Sequence, residues 1–287
     1  MDTNITVSIC CITYNHEKYL RECLDGILIQ KVNFEYEILI HDDASTDNTP
    51  SIINEYVKKY PNIIRPILQQ ENQYSKGISP LRQILFPIVK GKYIAICEGD
   101  DYWTDPLKLQ KQVDFLEIHQ EYSLCCHMVT RINAVTGNML DSQFIKNDMP
   151  LSNEDIIRTH GMLTPTLSMV FRSMLIKNMP SWLLKAPVGD ISLTYHLMLH
   201  GKVFCFSSLM GVYRAFIPTS WTMSQTKQSV LKRLNSRLKY NAFILAFNDY
   251  THGRYYDALV SHNLFRKGLR GKVLLFLSNV YKKTGYK

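Results

Sequence analysis

The segment VSICCITYNHEKYLRECLDGIL (residues 7–28) decides the fold class. It opens with an unbroken run of β-branched residues and cysteines, which is typical of a strand that is covered on both faces. After Asn15 the apolar side chains recur at helical spacing and form one stripe, which comprises Tyr19, Leu20, Cys23, Leu24, Ile27 and Leu28. A buried strand followed at once by an amphipathic helix predicts the first unit of an α/β sheet.

The same order is repeated along the first half of the chain. YEILI (36–40) predicts a second strand, and a helix is predicted over about residues 50–60. NIIRPIL (62–68) and KYIAIC (92–97) predict the third and fourth strands, and Asp105 with Pro106 is predicted to begin another helix. Strands and helices that alternate at this spacing indicate a mainly parallel sheet with flanking helices.

The second half of the chain is less regular. YSLCCHMV (122–129) predicts a strand, and Ser152 with Asp155 resembles the capping pair of a short helix. KVFCF (202–206) and MGVYR (210–214) are predicted to form two short strands. Beyond residue 222 the sequence is helical and basic, and its apolar positions predict a helix face packed on the body: Leu231, Leu234, Leu238, Phe243 and Ile244.

Composition narrows the class of protein. The 287 residues are 46% hydrophobic and 20% charged, as in globular rather than disordered chains. The seven cysteines include no C-x-x-C pair, which favours reduced, buried thiols over disulfides or a zinc site. Neither a signal peptide nor a membrane-spanning run is expected, so the sequence predicts a cytoplasmic protein.

The net charge of +8 is concentrated near the end of the chain. Residues 227–287 hold 13 lysines and arginines against two aspartates, whereas residues 1–226 are slightly acidic. The basic side chains that interleave with apolar ones are Lys232, Arg233, Arg237, Lys239, Arg266, Lys267, Arg270 and Lys272. This pattern is typical of helices at an anionic membrane surface, and the alternative is a solvated helix packed on the body. Nucleic acid is not an expected partner, because no nucleic-acid-binding module is recognised.

Polar clusters follow three of the predicted strands. They are Thr13-Tyr14-Asn15 after the first strand, Asp42-Asp43 after the second, and Glu98-Gly99-Asp100-Asp101 after the fourth. In a parallel sheet these strand ends lie at one edge, so the clusters can converge. Crowded carboxylates need a raised pKa or a cation, and oxygen ligands suit Mg²⁺ or Mn²⁺ shared with a diphosphate. The alternative is a set of turns and helix caps, where aspartate is common.

Three segments together resemble family 2 glycosyltransferases: residues 7–28, YEILIHDDASTDNTPSII (36–53) and GKYIAICEGDDYWTDPLKLQKQ (91–112). The resemblance is close over residues 5–130 and traceable to about Trp221. It implies the Rossmann-like GT-A fold and an inverting enzyme that uses a nucleotide-sugar donor. It also implies a glycosyltransferase domain over 1–226, divided into a nucleotide-sugar-binding half (1–130) and an acceptor-binding half (131–226), before a basic helical region (227–287).

The resemblance also implies roles for single residues on the donor side. The residues implied to bind the donor are Thr13, Tyr14, Asn15, Asp43, Asp100 and Arg214. Among them, Asp43 matches the carboxylate that recognises uracil, and Arg214 is expected to assist the diphosphate. The residues implied to bind Mn²⁺ or Mg²⁺ are Asp101, Asp100 and Glu98, and Glu98 stands where many members have aspartate. Many relatives also place a histidine soon after the Tyr-Arg pair, whereas this chain has Ala215 and Phe216.

On the acceptor side the resemblance implies one catalytic residue. Asp190, in VGDISLTYHLMLHGKV (188–203), matches the acidic residue that deprotonates the acceptor hydroxyl. The alternative for Asp190 is an N-cap of the following helix, and the alternative for Arg214 is a structural ion pair.

The expected reaction moves a sugar from a UDP-sugar to a hydroxyl of a saccharide or lipid-linked saccharide, in the synthesis of bacterial surface polysaccharide. Two other classes stay open. A nucleotidyltransferase also uses an acidic metal site on an α/β sheet, but it leaves Asp190 without a role. A non-catalytic relative that binds nucleotides or glycans is compatible with Glu98 and with the missing histidine.

Overall fold

The repeated strand and helix units place the first strand inside a parallel sheet. The computed structural model describes residues 5–140, 145–184, 186–218, 220, 223 and 229–261. Its first four strands are β1 (Ile5–Thr13), β2 (Glu35–Asp42), β3 (Ile64–Leu68) and β4 (Tyr93–Ile96). They lie in the order β3-β2-β1-β4, and all three neighbouring pairs are parallel. The predicted α/β sheet is confirmed, and the carboxyl ends of these strands meet at one edge.

Five further strands extend the sheet beyond β4. They are β5 (Tyr102–Trp103), β6 (Tyr122–Asn133), β7 (Met149–Leu151), β8 (Val170–Arg172) and β9 (Lys202–Ala215). In the described residues the sheet continues from β4 as β8-β6-β9-β5, and β7 pairs with β9. In this half of the described sheet β6 and β9 pair in parallel, and the other neighbouring strands pair antiparallel. The sheet is therefore parallel in its first half and mixed in its second.

Helices cover both faces of the sheet. Their bounds are α1 (Leu20–Leu28), α2 (Thr49–Lys59), α3 (Lys108–Ile118), α4 (Asn153–Arg158), α5 (Ser181–Leu184), α6 (Gly189–Met198), α7 (Val230–Tyr250) and α8 (Tyr256–Ser261). Short helical turns lie at Tyr74–Lys76, Pro80–Leu85, Phe86–Ile88, Thr166–Ser168 and Ser173–Ile176. The predicted capping pair of α4 is confirmed, because the Ser152 hydroxyl accepts a hydrogen bond from the Asp155 N–H at 3.1 Å.

The two faces of β1 pack against different helices, since alternate side chains of a strand point to opposite faces. Ile9 and Cys11 belong to a buried apolar cluster that includes side chains of α1, α2 and α3. Cys10 belongs to a second cluster, which includes side chains of α4 to α8. All seven cysteines lie in the described part of the chain, where they are buried and free, as predicted.

The start of α3 differs from the prediction. The helix begins at Lys108, not at Asp105 and Pro106. The Asp105 carboxylate instead accepts a hydrogen bond from the Leu107 N–H at 2.8 Å and another from the Lys111 ammonium at 2.7 Å. Asp105 thus closes a turn that leads into the helix, because short polar side chains bond readily to nearby backbone groups.

The two short strands predicted over residues 202–214 are one strand, β9. Its pairing with β6 shifts register, so that His127 lies opposite Phe206 but Met128 lies opposite Leu209. The residues between them, Ser207 and Ser208, form a bulge that the sheet accommodates. The polar interruption in the sequence therefore marks a bulge and not the end of a strand.

Helix α7 packs on the body only through its second half. Phe243 and Ile244 are fully buried, and the ring centroid of Trp182 on α5 lies 6.0 Å from that of Phe243. Leu231 is 79% exposed and Leu234 is 43% exposed. The predicted packing is confirmed for Phe243 and Ile244 and wrong for Leu231 and Leu234, because the aromatic contacts from α5 and α6 reach only the later turns.

The exposed first half of α7 carries part of the basic region. The exposed basic residues on it are Lys232, Arg233, Arg237 and Lys239. The other predicted basic residues, Arg266, Lys267, Arg270 and Lys272, lie outside the described residues. Within the described ranges no helix is long and apolar enough to cross a membrane. The boundary expected at residue 226 falls between the end of β9 and the start of α7, and the division into domains stays a prediction.

Candidate active site at the carboxyl edge of the sheet

The ends of β1, β2 and β4 meet through direct hydrogen bonds. The Thr13 hydroxyl donates to Asp42 Oδ1 at 3.0 Å, and the Asp43 N–H donates to the Thr13 carbonyl at 3.0 Å. The Gly99 N–H donates to the Ile12 carbonyl at 2.9 Å. The three predicted polar clusters are therefore brought to one edge by the parallel pairing.

The loops after β1 and β2 interlock. The Asn15 amide oxygen accepts a hydrogen bond from the Thr46 N–H at 2.8 Å, and the Asn15 N–H donates to the Ser45 hydroxyl at 2.8 Å. Asn15 and Ala44 both have left-handed backbones, with φ of 56° and 60°. Tyr14 is 41% exposed beside them. Asn15 thus shapes the loop, while the Tyr14 ring is open to a ligand.

Asp43 is buried, and both of its carboxylate oxygens accept hydrogen bonds from the backbone. Its carboxylate accepts hydrogen bonds from the backbone N–H groups of Gln73 at 2.7 Å and Tyr74 at 3.1 Å. This carboxylate therefore fixes the loop after β3 against the end of β2. The uracil contact expected from the resemblance stays a prediction.

Gly99 is required by the packing of the carboxylate turn, which we define as residues 98–101. A Cβ atom at this position would lie 2.6 Å from Thr13 Cγ2 and 3.0 Å from His16 Nδ1, closer than packed atoms approach. The same turn brings Asp100 Oδ2 to 3.7 Å from His16 Nε2. The turn is thus pressed against the end of β1, with Asp100 and Asp101 beside each other.

Asp101 is the most buried carboxylate of this turn. Its Oδ1 accepts a hydrogen bond from the Arg214 N–H at 2.8 Å, whereas its Oδ2 is buried without a hydrogen-bond partner in the described part of the chain. Burial raises the pKa of Asp101 well above its usual value, and the charges of Asp100 and Glu98 add to this. Burial, Asp100 and Asp190 likewise raise the pKa of Glu98 to about 8.

A divalent cation would offset the repulsion between the crowded carboxylates of this turn. Among the described residues, no group of three or more His, Cys, Asp or Glu side chains is placed to hold a metal ion. Glu98, Asp100 and Asp101 therefore do not make a complete ligand set by themselves. The buried, unpartnered Asp101 Oδ2 fits a Mg²⁺ or Mn²⁺ ion bound through one or two carboxylates, with substrate phosphate and water as the other ligands.

Arg214 does not present its guanidinium to the open side of the site. Its Nη1 donates to the Asp100 carbonyl at 2.6 Å, and its Nη2 donates to Glu22 on α1. The guanidinium lies over the rings of Tyr102 and Tyr19, 4.4 Å and 5.1 Å from their centroids. These contacts match the alternative, a structural ion pair, and the diphosphate contact expected from the resemblance stays a prediction.

Asp190 lies in the first turn of α6. Its Oδ1 accepts a hydrogen bond from the Ile191 N–H at 2.7 Å, and the helix cap is Val188, so Asp190 is not the N-cap. The residue is exposed, yet the protein packed around its carboxyl group desolvates it and raises its pKa. The charge of Asp190 also contributes to the raised pKa of Glu98.

Tyr240 and His160 form a partly buried pair that no sequence motif indicated. The Tyr240 hydroxyl on α7 lies 2.7 Å from His160 Nδ1, and burial and the charge of Asp190 raise the pKa of Tyr240. Tyr240 thus joins α7 to His160, which lies just after α4. Tyr240 could not be found from a motif, because it lies beyond the segments that resemble known proteins.

These features place buried carboxylates at the carboxyl edge of an α/β sheet. Comparison with known proteins gives the family. The model of the family described as "Glycosyl transferase family 2" matches residues 8–178. The chain belongs to this family, as the sequence segments predicted.

Among curated proteins, the chain is 38% identical over 224 residues to an uncharacterized protein of Mycobacterium tuberculosis, a match that covers 77% of this chain and 62% of the relative. It is also 34% identical over 132 residues to the Escherichia coli UDP-Glc:α-D-GlcNAc-diphosphoundecaprenol β-1,3-glucosyltransferase WfaP, covering 46% of this chain and 49% of WfaP. The chain therefore spans less than two thirds of the length of these relatives.

Two solved structures share the fold. Staphylococcus aureus TarS (residues 1–349), in complex with UDP-GlcNAc, matches with a TM-score of 0.65 and 20% identity over 96% of this chain and 79% of that one. The mannosyltransferase PcManGT of Pyrobaculum calidifontis, in complex with GDP-Man and Mn²⁺, matches with a TM-score of 0.58 and 14% identity over 99% of this chain and 89% of that one. The GT-A fold is confirmed.

Proposed function

We propose that the chain transfers a sugar from a UDP-sugar to a hydroxyl group of a saccharide or lipid-linked saccharide, with inversion at the anomeric carbon. The observation that carries the proposal is the Asp101 Oδ2 atom in the carboxylate turn, which is buried without a hydrogen-bond partner among the described residues. The charge of Asp190 acts on Glu98 of the same turn. Two relatives support the class of donor, since WfaP is named for UDP-Glc and TarS binds UDP-GlcNAc.

On the donor side, Asp101 and Asp100 would hold a Mn²⁺ or Mg²⁺ ion together with the diphosphate, and Glu98 would lie beside them. When bound, the ion neutralises the negative charge that develops on the leaving diphosphate. Mn²⁺ accompanies GDP-Man in the PcManGT structure, which supports this assignment. Thr13, Tyr14, Asn15 and Asp43 form the loops where the nucleoside is expected to lie.

On the acceptor side, Asp190 is the proposed general base. Its carboxylate takes the proton of the acceptor hydroxyl as that oxygen forms a bond to the anomeric carbon. The bond from the anomeric carbon to the phosphate oxygen breaks on the opposite face, and its electron pair leaves with UDP. The raised pKa of Asp190 suits this role, because a base accepts a proton best when its pKa approaches the working pH.

The simplest test is incubation of the protein with a panel of nucleotide sugars and Mn²⁺. We expect slow hydrolysis of one UDP-sugar to UDP and free sugar, with water acting in place of the acceptor. In a parallel incubation with nucleoside triphosphates, sugar 1-phosphates and Mn²⁺, release of pyrophosphate would instead indicate a nucleotidyltransferase. Binding of nucleotide sugars without turnover would indicate a non-catalytic relative. Either of these results would overturn the proposed function.

We also propose that the acceptor is a lipid-linked saccharide in bacterial surface polysaccharide synthesis. In this proposal α7 attaches the protein peripherally to the cytoplasmic side of an anionic membrane. On the first half of α7 the apolar Val230, Leu231 and Leu234 are 71%, 79% and 43% exposed, and basic side chains surround them. Apolar contact and charge attraction together are what an interfacial helix needs. WfaP is named for a diphosphoundecaprenol acceptor, which supports this class.

Vesicle sedimentation tests the membrane contact. The wild-type protein should sediment with phosphatidylcholine vesicles that contain phosphatidylglycerol, and the double variant Lys232→Gln, Arg233→Gln should sediment less. Lys58→Gln with Lys59→Gln is the matched control, because this exposed basic pair lies on α2, away from α7. Equal sedimentation of both variants, or none by the wild type, would remove the proposal.

A further inference from the structure

Arg214 is held by an unusual number of contacts for a residue at a strand end. Its backbone N–H donates to the Asp101 carboxylate, and its guanidinium donates to the Asp100 carbonyl and to Glu22. The side chain is 6% exposed, and two tyrosine rings lie against it. One residue of β9 therefore contacts both residues that would hold the cation.

Glu22 completes this set from the other side of the carboxylate turn. It lies in the first turn of α1, while Arg214 lies at the end of β9, so the ion pair spans the turn from helix to strand. A buried guanidinium without a carboxylate partner is costly. Glu22 thus pairs with the guanidinium charge and holds it in place, although the Glu22 side chain is 56% exposed.

We propose that Glu22 and Arg214 form a clamp that positions Asp100 and Asp101 for the divalent cation. The proposal rests on the proposed function and assigns no contact between these two residues and the substrate. Glu22 accepts a hydrogen bond from Arg214 Nη2 and so fixes the orientation of the guanidinium group. The guanidinium donates to the Asp100 carbonyl and holds it in place. The Arg214 N–H donates to Asp101 Oδ1, so that the other oxygen, Oδ2, stays available to the ion.

The physical reason is that a carboxylate binds a metal well only when its orientation is fixed in advance. Loss of a partner that orients a ligand typically lowers metal affinity by about 10- to 100-fold. The planar fork matters as much as the charge, because two of its nitrogens bond different partners at once. A lysine at this position keeps the charge but has to reach both partners from a single nitrogen.

The test measures Mn²⁺ binding in the presence of UDP, from the electron paramagnetic resonance signal of the free ion. Glu22→Gln should weaken Mn²⁺ binding by about tenfold, near the lower end of the range for such partners. Arg214→Lys should weaken it at least as much. The control is Arg21→Gln, because Arg21 is the neighbouring residue on α1 and makes a two-pronged ion pair with Glu55, at 2.9 and 2.6 Å, that does not touch the turn.

Each outcome separates the clamp from the proposed function. Binding by the wild type with loss in Glu22→Gln but not in Arg21→Gln supports the clamp. Equal binding by the wild type and Glu22→Gln overturns the clamp and leaves the proposed function standing. An equal loss in Arg21→Gln also overturns it, because the effect would then be general destabilisation. Absence of Mn²⁺ binding in the wild type overturns both.

Discussion

Replacing Lys108 by methionine should stabilise the protein, and more so at low pH. Lys108 is the first residue of α3 and is fully buried, and its ammonium has no hydrogen-bond partner in the described part of the chain. Its nitrogen lies 3.9 Å from the centroid of the Trp103 ring. Burial lowers the pKa of Lys108 from 10.5 to about 7.

The size of the effect follows from this shift. Each pKa unit corresponds to about 1.4 kcal/mol, so the charged form costs up to about 5 kcal/mol in the folded state below pH 7. The contact with the Trp103 ring offsets up to about 2 kcal/mol of this. Because methionine has no charge and a similar length, Lys108→Met should therefore raise the free energy of unfolding by about 3 kcal/mol or more at about pH 6.

The sign of the pH dependence is fixed by which state binds more protons. Between about pH 7 and 10.5 the unfolded wild type holds the Lys108 proton and the folded protein does not, so its stability rises with pH. The advantage of Lys108→Met should then shrink by up to about 1.4 kcal/mol per pH unit in this window. Urea unfolding of both proteins at several pH values measures this difference.

Lys111→Met is the matched control, since Lys111 lies on the same helix but is partly exposed and paired with Asp105. It should change stability by about 1 kcal/mol or less. A Lys108→Met protein that is less stable than wild type at about pH 6, or an advantage that does not shrink with pH, would refute the reasoning.

Two further predictions concern the site. Gly99→Ala should lower the free energy of unfolding in urea by about 2 kcal/mol, because the added methyl group would lie 2.6 Å from Thr13 Cγ2. The control is Gly189→Ala, where an added Cβ meets no atom within 4 Å. Equal stability of the two variants would contradict the packing argument. Asp190→Asn should keep UDP binding but lose about 10²- to 10⁴-fold in the rate of UDP-sugar hydrolysis, measured as UDP release, and near wild-type turnover would rule out Asp190 as the base.

The first half of the fold was predictable because each strand and helix there is specified by its own neighbours in sequence. The apolar run before Thr13 and the stripe after Asn15 each predict one element, and parallel pairing then fixes the order. β9 was harder, since Ser207 and Ser208 interrupt the apolar pattern and only the pairing with β6 shows that the strand continues. The exposed start of α7 was missed because periodicity does not show which turns have a neighbour.

The carboxylates of the site were predictable for the same local reason, since they directly follow strands. Their partners were not. Arg214 pairs with Glu22, which lies 192 positions earlier in the chain. Asp43 likewise bonds backbone groups about 30 residues away, which no motif encodes. Long-range hydrogen bonds therefore decide which of the charged residues remain open to a ligand.

The bond from the Arg214 N–H to Asp101 also has a consequence for biosynthesis. It joins residues 113 positions apart, so it can form only after the ribosome has released the whole of β9. Strands β1 to β4 are complete long before that point. A nascent chain can thus assemble its parallel core early, but its carboxylate turn is set last, in a step of high contact order that is expected to be slow. Truncated products that end before β9 should accordingly lack the bond that fixes the Asp101 carboxylate.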